Sequence, residues 1–178
     1  MPDYTTLAAP LPIKLEAALA KWLRAKRGAL FVPELTIIGA HEPGVPDVPW
    51  LSILCRSANT HPQFAEVVGS GLPKVAQVEF TFRVHQSLDF HTTAALWCGQ
   101  LQDLLASGAA LPADRTPERA SYRGLRTDLN PGGTLHPTSG LAIFAVSEVE
   151  DSVGMKDKAR LAQFALEIIA QNGDPASE

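Results

Sequence analysis

Residues 75–84 alternate between apolar and polar side chains, and this pattern constrains the fold more than any other stretch of the chain. In an extended strand, Val78, Phe80, Phe82 and Val84 point to one side, and the polar residues between them point to the other. Such alternation is typical of a sheet with one face in the core and one face in water. The sequence therefore predicts a half-buried sheet around this strand.

After Gln86 the apolar residues recur at helical spacing instead of strand spacing. Ser87 or Asp89 can cap the first turn, because a side-chain oxygen at that position accepts a hydrogen bond from a free backbone N–H. Gly108 is suited to end the helix. The apolar stripe of this predicted helix consists of Ala94, Trp97, Cys98, Leu101, Leu104 and Leu105.

An earlier helix is predicted over residues 13–27. Its apolar stripe, with the spacing i, i+4, i+7 and i+8, consists of Leu15, Leu19, Trp22 and Leu23. Glu16 is expected in the first turn, and the basic residues of the last two turns are Lys21, Arg24, Lys26 and Arg27. This order of charges complements the helix dipole, and Gly28 is placed to end the helix.

Further strands are expected on both sides of the long strand. Two short strands lie near Leu35–Gly39 and Trp50–Cys55, separated by a proline-rich loop. Residues 141–149 are apolar on both faces, which favours a central place in the sheet. Residues 161–170 fit a strand that returns beside 141–149, but they fit a helix as well, and periodicity alone favours the helix.

Length and charge narrow the class of protein. The 178 residues fit a single domain, and a net charge of −4 argues against a general nucleic-acid-binding module, which is normally basic. No apolar run approaches the ~20 residues that span a bilayer, and the N-terminal residues lack the features of a signal peptide, so we expect no membrane anchor. Cys55 and Cys98 lie among apolar residues, which favours free buried thiols over a disulfide.

The pattern H-x3-D-x-H, formed by His85, Asp89 and His91, raises the question of a metal or ligand site. Transition-metal ligands must converge on one point, but His85 ends a predicted strand and His91 lies in the first turn of a predicted helix. Asp89 already has a role at the helix N-terminus. We therefore predict that these residues bind no metal, and a small metal- or ligand-binding α+β domain that uses them is the alternative hypothesis.

Other residues of chemical interest indicate no catalytic site. The remaining histidines lie alone in loops that contain proline: His41, His61 and His136. The chain has no G-x-S-x-G nucleophile elbow, and neither cysteine has an electropositive, exposed setting. Glu148, Glu150 and Asp151 close a predicted strand and are expected to form a solvated rim. We expect no enzyme and no cofactor.

A long segment at about residues 108–140 separates the predicted elements. Connections of this length are uncommon inside a compact domain and are often functional or disordered. Arginine and tyrosine are enriched in protein–protein interfaces, which makes this segment a candidate interface. A mobile surface loop is the other interpretation, and both stay open. The candidate interface residues are Arg115, Arg119, Tyr122, Arg123 and Arg126.

Three stretches carry a family resemblance. They are the Trp22–Leu23 pair near the end of the first helix, the run VEFTFRVHQSLDFHTTAALWCGQLQDLL, and the closing ALEIIAQ. Together they resemble the tail-terminator, or tail-completion, proteins of tailed bacteriophages, over roughly Ile13–Gln171. Proteins of this family often close on a strand, so we favour a strand over a helix for residues 161–170.

The resemblance implies an α+β fold, with a mostly antiparallel sheet of four to five strands and two helices packed on one face. It also implies a structural protein of the virion, assembled in the host cytoplasm as a homo-oligomeric ring, most often a hexamer. Such a ring caps the tail tube, ends its polymerisation and joins tail to head, through contacts with the tail tube protein and a head-completion or connector protein. DNA would pass through it without specific binding. The residues expected to share one core are Leu19, Trp22, Val78, Phe80, Phe82, Trp97, Leu101, Leu104, Ile143 and Phe164.

Overall fold

The computed structural model describes residues 9–26, 35–44, 49–64, 72–84, 90–107, 141–152 and 161–172, together with Leu125 and Leu129. The helices are α1 (Leu11–Lys26) and α2 (Phe90–Ser107). The strands are β1 (Thr36–Gly39), β2 (Trp50–Thr60), β3 (Lys74–Arg83), β4 (Leu141–Ser152) and β5 (Leu161–Asn172). A short 3-10 turn covers Pro62–Phe64.

The strands form one five-stranded sheet in the order β1-β2-β3-β5-β4. β1 runs parallel to β2, and the other neighbouring pairs are antiparallel. The alternating strand β3 lies in the centre, where Phe80 is opposite Ile53 of β2 and Phe164 of β5. The prediction of an α+β fold with a mostly antiparallel sheet is confirmed.

Both helices pack against one face of this sheet, and one core lies between the two layers. Val78, Phe80 and Phe82 have no exposed surface, as the alternation of β3 predicts. The ring of Phe80 stacks on that of Phe164 with 4.8 Å between the centroids, and Phe82 lies 6.2 Å from Trp97 of α2. All of the residues predicted to share the core belong to this one cluster, so that prediction is confirmed.

β5 confirms the strand predicted at the end of the chain. It has hydrogen-bonded neighbours on both sides, β3 and β4, along nearly its whole length. Phe164, Leu166, Ile168 and Ala170 alternate onto the core face and are buried. Pairing on both edges satisfies the backbone of this segment, and this tertiary context outweighs the helical spacing of its apolar residues.

The prediction that residues 141–149 form a central strand is wrong. β4 is the last strand of the sheet, because β5 returns between β3 and β4 and takes the interior position. A register shift between Ile143 and Ala145 brings Val146 back to the core, while Phe144 remains 42% exposed. The apolar residues on both faces therefore reflect a bulged edge strand with an exposed aromatic residue.

The position predicted for Glu16 is also wrong. α1 begins at Leu11 and has no acidic residue in its first turn, so Glu16 lies farther along the helix and is buried. The helix starts early because Pro12 is tolerated in a first turn, and the Pro10 carbonyl accepts the backbone N–H of Lys14 at 3.1 Å. The last turn is basic, as predicted, and Gly28 lies outside the described residues.

Neither described helix is long and apolar enough to cross a membrane.

Cys55 and Cys98 are both buried free thiols, which confirms the expectation from their apolar surroundings. Cys55 lies in β2 at the point where the register with β3 shifts, between Cys55 and Ser57. This irregularity lies directly beside the polar contacts made by Glu16.

Candidate functional site

Two residues of the H-x3-D-x-H pattern, His85 and Asp89, lie outside the described residues. His91 is the second residue of α2, and only its backbone is described. Within the described ranges, no group of three or more His, Cys, Asp or Glu side chains could hold a metal ion. The absence of a metal at His85, Asp89 and His91 therefore stays a prediction.

The candidate interface residues Arg115, Arg119, Tyr122, Arg123 and Arg126 also lie outside the described residues. Two leucines of the same segment were not singled out from the sequence, although they are spaced i, i+4. Leu125 and Leu129 are both helical; Leu125 is fully buried in the main core, and Leu129 packs against it. The long segment is thus attached to the core at Leu125, which lies between Arg123 and Arg126 in the sequence, and at Leu129.

A partly buried polar cluster joins α1 to the corner that follows β1. We call it the Glu16 cluster, and its members are Glu16, Arg24, His41, Glu42 and the backbone N–H of Cys55. Glu16 is 4% exposed, and one of its carboxylate oxygens lies 2.7 Å from Nδ1 of His41. Its other oxygen accepts the Cys55 N–H, also at 2.7 Å. Both oxygens of a buried carboxylate are therefore hydrogen-bonded, which offsets the cost of its burial.

The contact between Glu16 and Cys55 follows from the shortness of β1. The last hydrogen bond along this edge joins the Ala40 N–H to the Ile53 carbonyl at 2.9 Å. Two residues farther along β2, the N–H of Cys55 points to the same side, where β1 has ended at Gly39. The Glu16 carboxylate takes the place of the missing strand and satisfies this buried donor.

A second set of contacts holds the same corner to the last turn of α1. Arg24 donates to the Ile37 carbonyl from Nε at 2.9 Å and from Nη2 at 2.6 Å, and it also pairs with Glu42. The Glu42 carboxylate accepts the Gly39 N–H at 3.3 Å. Burial raises the pKa of Glu42, but Arg24, the Gly39 N–H and His41 together outweigh burial, and the pKa is lowered overall.

Gly39 allows the histidine ring to lie against the backbone. A Cβ atom at this position would lie 2.5 Å from Cε1 and 2.8 Å from Nδ1 of His41. The ring cannot simply move away, because Nδ1 is hydrogen-bonded to Glu16. Glycine at the end of β1 therefore permits the contact between His41 and Glu16.

The Cys55 thiol, beside the Glu16 cluster, is unsuited to act as a nucleophile. Burial raises the pKa of the Cys55 thiol to about 11, and the Glu16 carboxylate adds to the rise. A thiol with this pKa is protonated at neutral pH and is a poor nucleophile. The cluster fixes α1 to β1 and β2, and we assign it a structural role.

Sequence reasoning missed the Glu16 cluster because its members are far apart in the chain. Glu16 and His41 are separated by 25 positions. One signal was present: Glu16 lies three and four positions before Leu19 and Ala20, both of which are fully buried, so it shares their side of the helix.

Comparison with known proteins adds no family, since no protein-family model matches the chain and neither does any curated protein.

Proposed function

We propose that this chain is a structural virion protein of a tailed bacteriophage, a tail terminator that forms a ring at the end of the tail tube. The observation that carries the proposal is β5 (Leu161–Asn172). Apolar spacing alone favours a helix there, whereas the family resemblance predicted a closing strand. A strand at this position therefore supports the resemblance more strongly than the other elements do. Those elements are expected from periodicity alone, whereas this strand is not.

The arrangement of layers also supports the proposal. Two helices cover one face of a five-stranded sheet, as the resemblance implied, and the buried polar groups of the Glu16 cluster brace these layers together. A rigid subunit suits a protein whose task is to present fixed surfaces to its neighbours. Fold alone does not specify function, so assembly has to be tested directly.

In this proposal, hexameric rings stop growth of the tail tube and then present a surface to a head-completion or connector protein. The arginines at positions 115, 119, 123 and 126, with Tyr122, would contact a neighbouring subunit or an adjacent tail or neck protein. DNA passes through the ring without specific binding. The net charge of −4 suits this role, because a strongly basic lumen would bind phosphates and oppose passage.

Native mass spectrometry tests the ring. The expected species is a multiple of the 19.1 kDa chain, most often six copies, and electron microscopy should show closed rings. Added to growing tail tubes of the same phage, the protein should bind tube ends and stop elongation, whereas an unrelated protein of similar size should not. A chain that remains monomeric at concentrations of tube assembly, or tubes that grow unchanged, would contradict the proposal.

A further inference from the structure

The first strand of the sheet has backbone groups that face away from its neighbour. β1 stands at the end of the strand order, so no further strand lies beyond it in the described part of the chain. The N–H groups of Thr36 and Ala40 donate to carbonyls on the β2 side, at 3.1 and 2.9 Å. Because the backbone groups of successive residues alternate between the two edges of a strand, those of Ile37 and Gly39 face the other edge.

Arg24 and Glu42 take the place of a further strand along this edge. Arg24 donates to the Ile37 carbonyl from Nε and Nη2, at 2.9 and 2.6 Å, and the Glu42 carboxylate accepts the Gly39 N–H at 3.3 Å. In a parallel ladder, one residue of a neighbouring strand would donate its N–H to the first of these groups and accept the second through its carbonyl. The two side chains also pair with each other, so together they replace one residue of such a strand.

Glu16 continues this cover where β1 has ended. Its carboxylate accepts the Cys55 N–H at 2.7 Å, on the side of β2 where a longer β1 would pair. Two of the three covering side chains come from α1, and the third comes from the corner after β1. Polar side chains therefore satisfy three successive outward-facing backbone groups at this end of the sheet.

We propose that the Arg24–Glu42 pair closes the β1 edge against strand pairing with a second copy of this chain. Unpaired N–H and C=O groups at the edge of a sheet are a template for another strand, and in a solution of pure protein that strand belongs to another copy. The pair engages the two groups that a neighbouring strand needs. The inference does not depend on the proposed function, because it concerns association through the sheet edge and not the ring.

A second ion pair of the sheet offers a matched comparison. Arg56 and Glu79 are 53% and 15% exposed, close to the 42% and 13% of Arg24 and Glu42. Within the described residues, the hydrogen bonds of the Arg56 and Glu79 side chains run to other side chains, on the outer face of the sheet. Removal of either pair leaves the net charge unchanged, but only removal of Arg24 and Glu42 uncovers an edge.

Three variants test the closure. Arg24→Ala with Glu42→Ala is the open-edge variant, and Arg56→Ala with Glu79→Ala is its control. The third variant adds Ile38→Lys to the open edge. Ile38 lies between the two uncovered backbone groups, with its side chain on the outer face. Lysine there restores neither hydrogen bond, so it can reverse association only by obstructing the edge. Circular dichroism and urea unfolding establish that each variant is folded.

Sedimentation velocity at matched concentrations measures association. The open-edge variant should form species of about twice the wild-type mass or more, because pairing of one edge with its copy joins two particles. The control and the lysine variant should sediment as the wild type does. If the open-edge variant unfolds, Glu42→Ala alone replaces it, since that change uncovers the Gly39 N–H and keeps Arg24 for the Ile37 carbonyl.

Hydrogen exchange of the Gly39 amide tests the cover in the wild type itself. Exchange should be about tenfold slower, or more, than in an unstructured peptide of the same sequence, because the amide is hydrogen-bonded to Glu42. This measurement needs no variant and is independent of whether the variants fold.

Association of the open-edge variant that the lysine reverses supports the inference. The inference is overturned if the open-edge variant sediments as the wild type does, or if the control associates equally. It is also overturned if the lysine variant associates as strongly as the open-edge variant, or if the wild-type Gly39 amide exchanges as fast as in the peptide. None of these results bears on the ring, which native mass spectrometry of the wild type tests separately.

Discussion

Replacement of Glu16 tests whether one buried carboxylate joins the helical layer to the sheet. Glu16→Ala removes the acceptor of the Cys55 N–H and the partner of His41, both at 2.7 Å. An unsatisfied buried N–H costs about 1–3 kcal/mol, and loss of the histidine contact costs a further ~1 kcal/mol. Loss of the buried methylene adds about 0.8 kcal/mol. The free energy of unfolding should therefore fall by about 3–5 kcal/mol.

Glu16→Gln separates hydrogen bonding from charge. The amide oxygen can still accept the Cys55 N–H, and the amide NH2 can donate to Nδ1 of a neutral His41 ring. Only the additional strength of a charged acceptor is lost, so the expected decrease is about 0–2 kcal/mol. Glu79→Ala is the matched control: Glu79 pairs with the exposed Arg56 on the other face of the sheet, and such pairs contribute about 0–1 kcal/mol.

Urea unfolding followed by tryptophan fluorescence measures these differences, since Trp22 and Trp97 are both 7% exposed and lie in the core. Protein concentration must be held constant, because any self-association of the folded chain would stabilise it by mass action. The reasoning is refuted if Glu16→Ala and Glu16→Gln are equally destabilising, or if Glu16→Ala costs no more than Glu79→Ala. A change in the urea dependence would instead indicate an altered denatured state.

Four further predictions follow from the fold and from the sequence. Phe80→Ala should destabilise the protein by about 3–5 kcal/mol, because Phe80 has no exposed surface, and a loss below about 1 kcal/mol would contradict the core. Elemental analysis should find no stoichiometric metal, and stoichiometric zinc that is lost in His91→Ala would overturn this expectation. Charge reversal at Arg119 and Arg123 should impair assembly of folded monomers, and normal joining of tails to heads by the double variant would refute this. Glu42 has a lowered pKa in the folded state, so its stabilising contribution is present above its unfolded pKa of about 4.5 and is lost as the pH falls through the folded value. Melting temperatures of wild type and Glu42→Gln should therefore converge as the pH falls below about 4.5, and a constant difference would contradict this.

The elements that the sequence predicted are those in which a single period of apolar residues survives packing. β3 keeps its alternation because one face meets the helices and the other meets water. The α2 stripe from Trp97 to Leu105 is buried for the same reason on one side of a helix. Local spacing encodes which face of an element is buried, and these predictions needed nothing more.

Spacing does not encode which elements are neighbours in the fold. The incorrect predictions all depend on such neighbours. The sequence of β4 predicts a central strand because both of its faces are apolar. It lies at the edge because β5 returns between β3 and β4. From the sequence, Glu16 is expected to interact with the helix dipole. In the structure it instead accepts the Cys55 N–H, which has no strand partner because β1 has ended. Leu125 reads as part of a charged loop, and only packing identifies it as a core residue.

The position of β4 at the edge also bears on whether the sheet can pair with another chain. A long edge strand presents backbone N–H and C=O groups that can pair with another chain, and charges or bulges limit such pairing. β4 has two register shifts, between Ile143 and Ala145 and between Glu148 and Glu150, and its second half is acidic. Bulges and acidic residues both disfavour pairing of an edge strand with a further strand. The sequence of β4 therefore works against extension of the sheet by another chain at this edge.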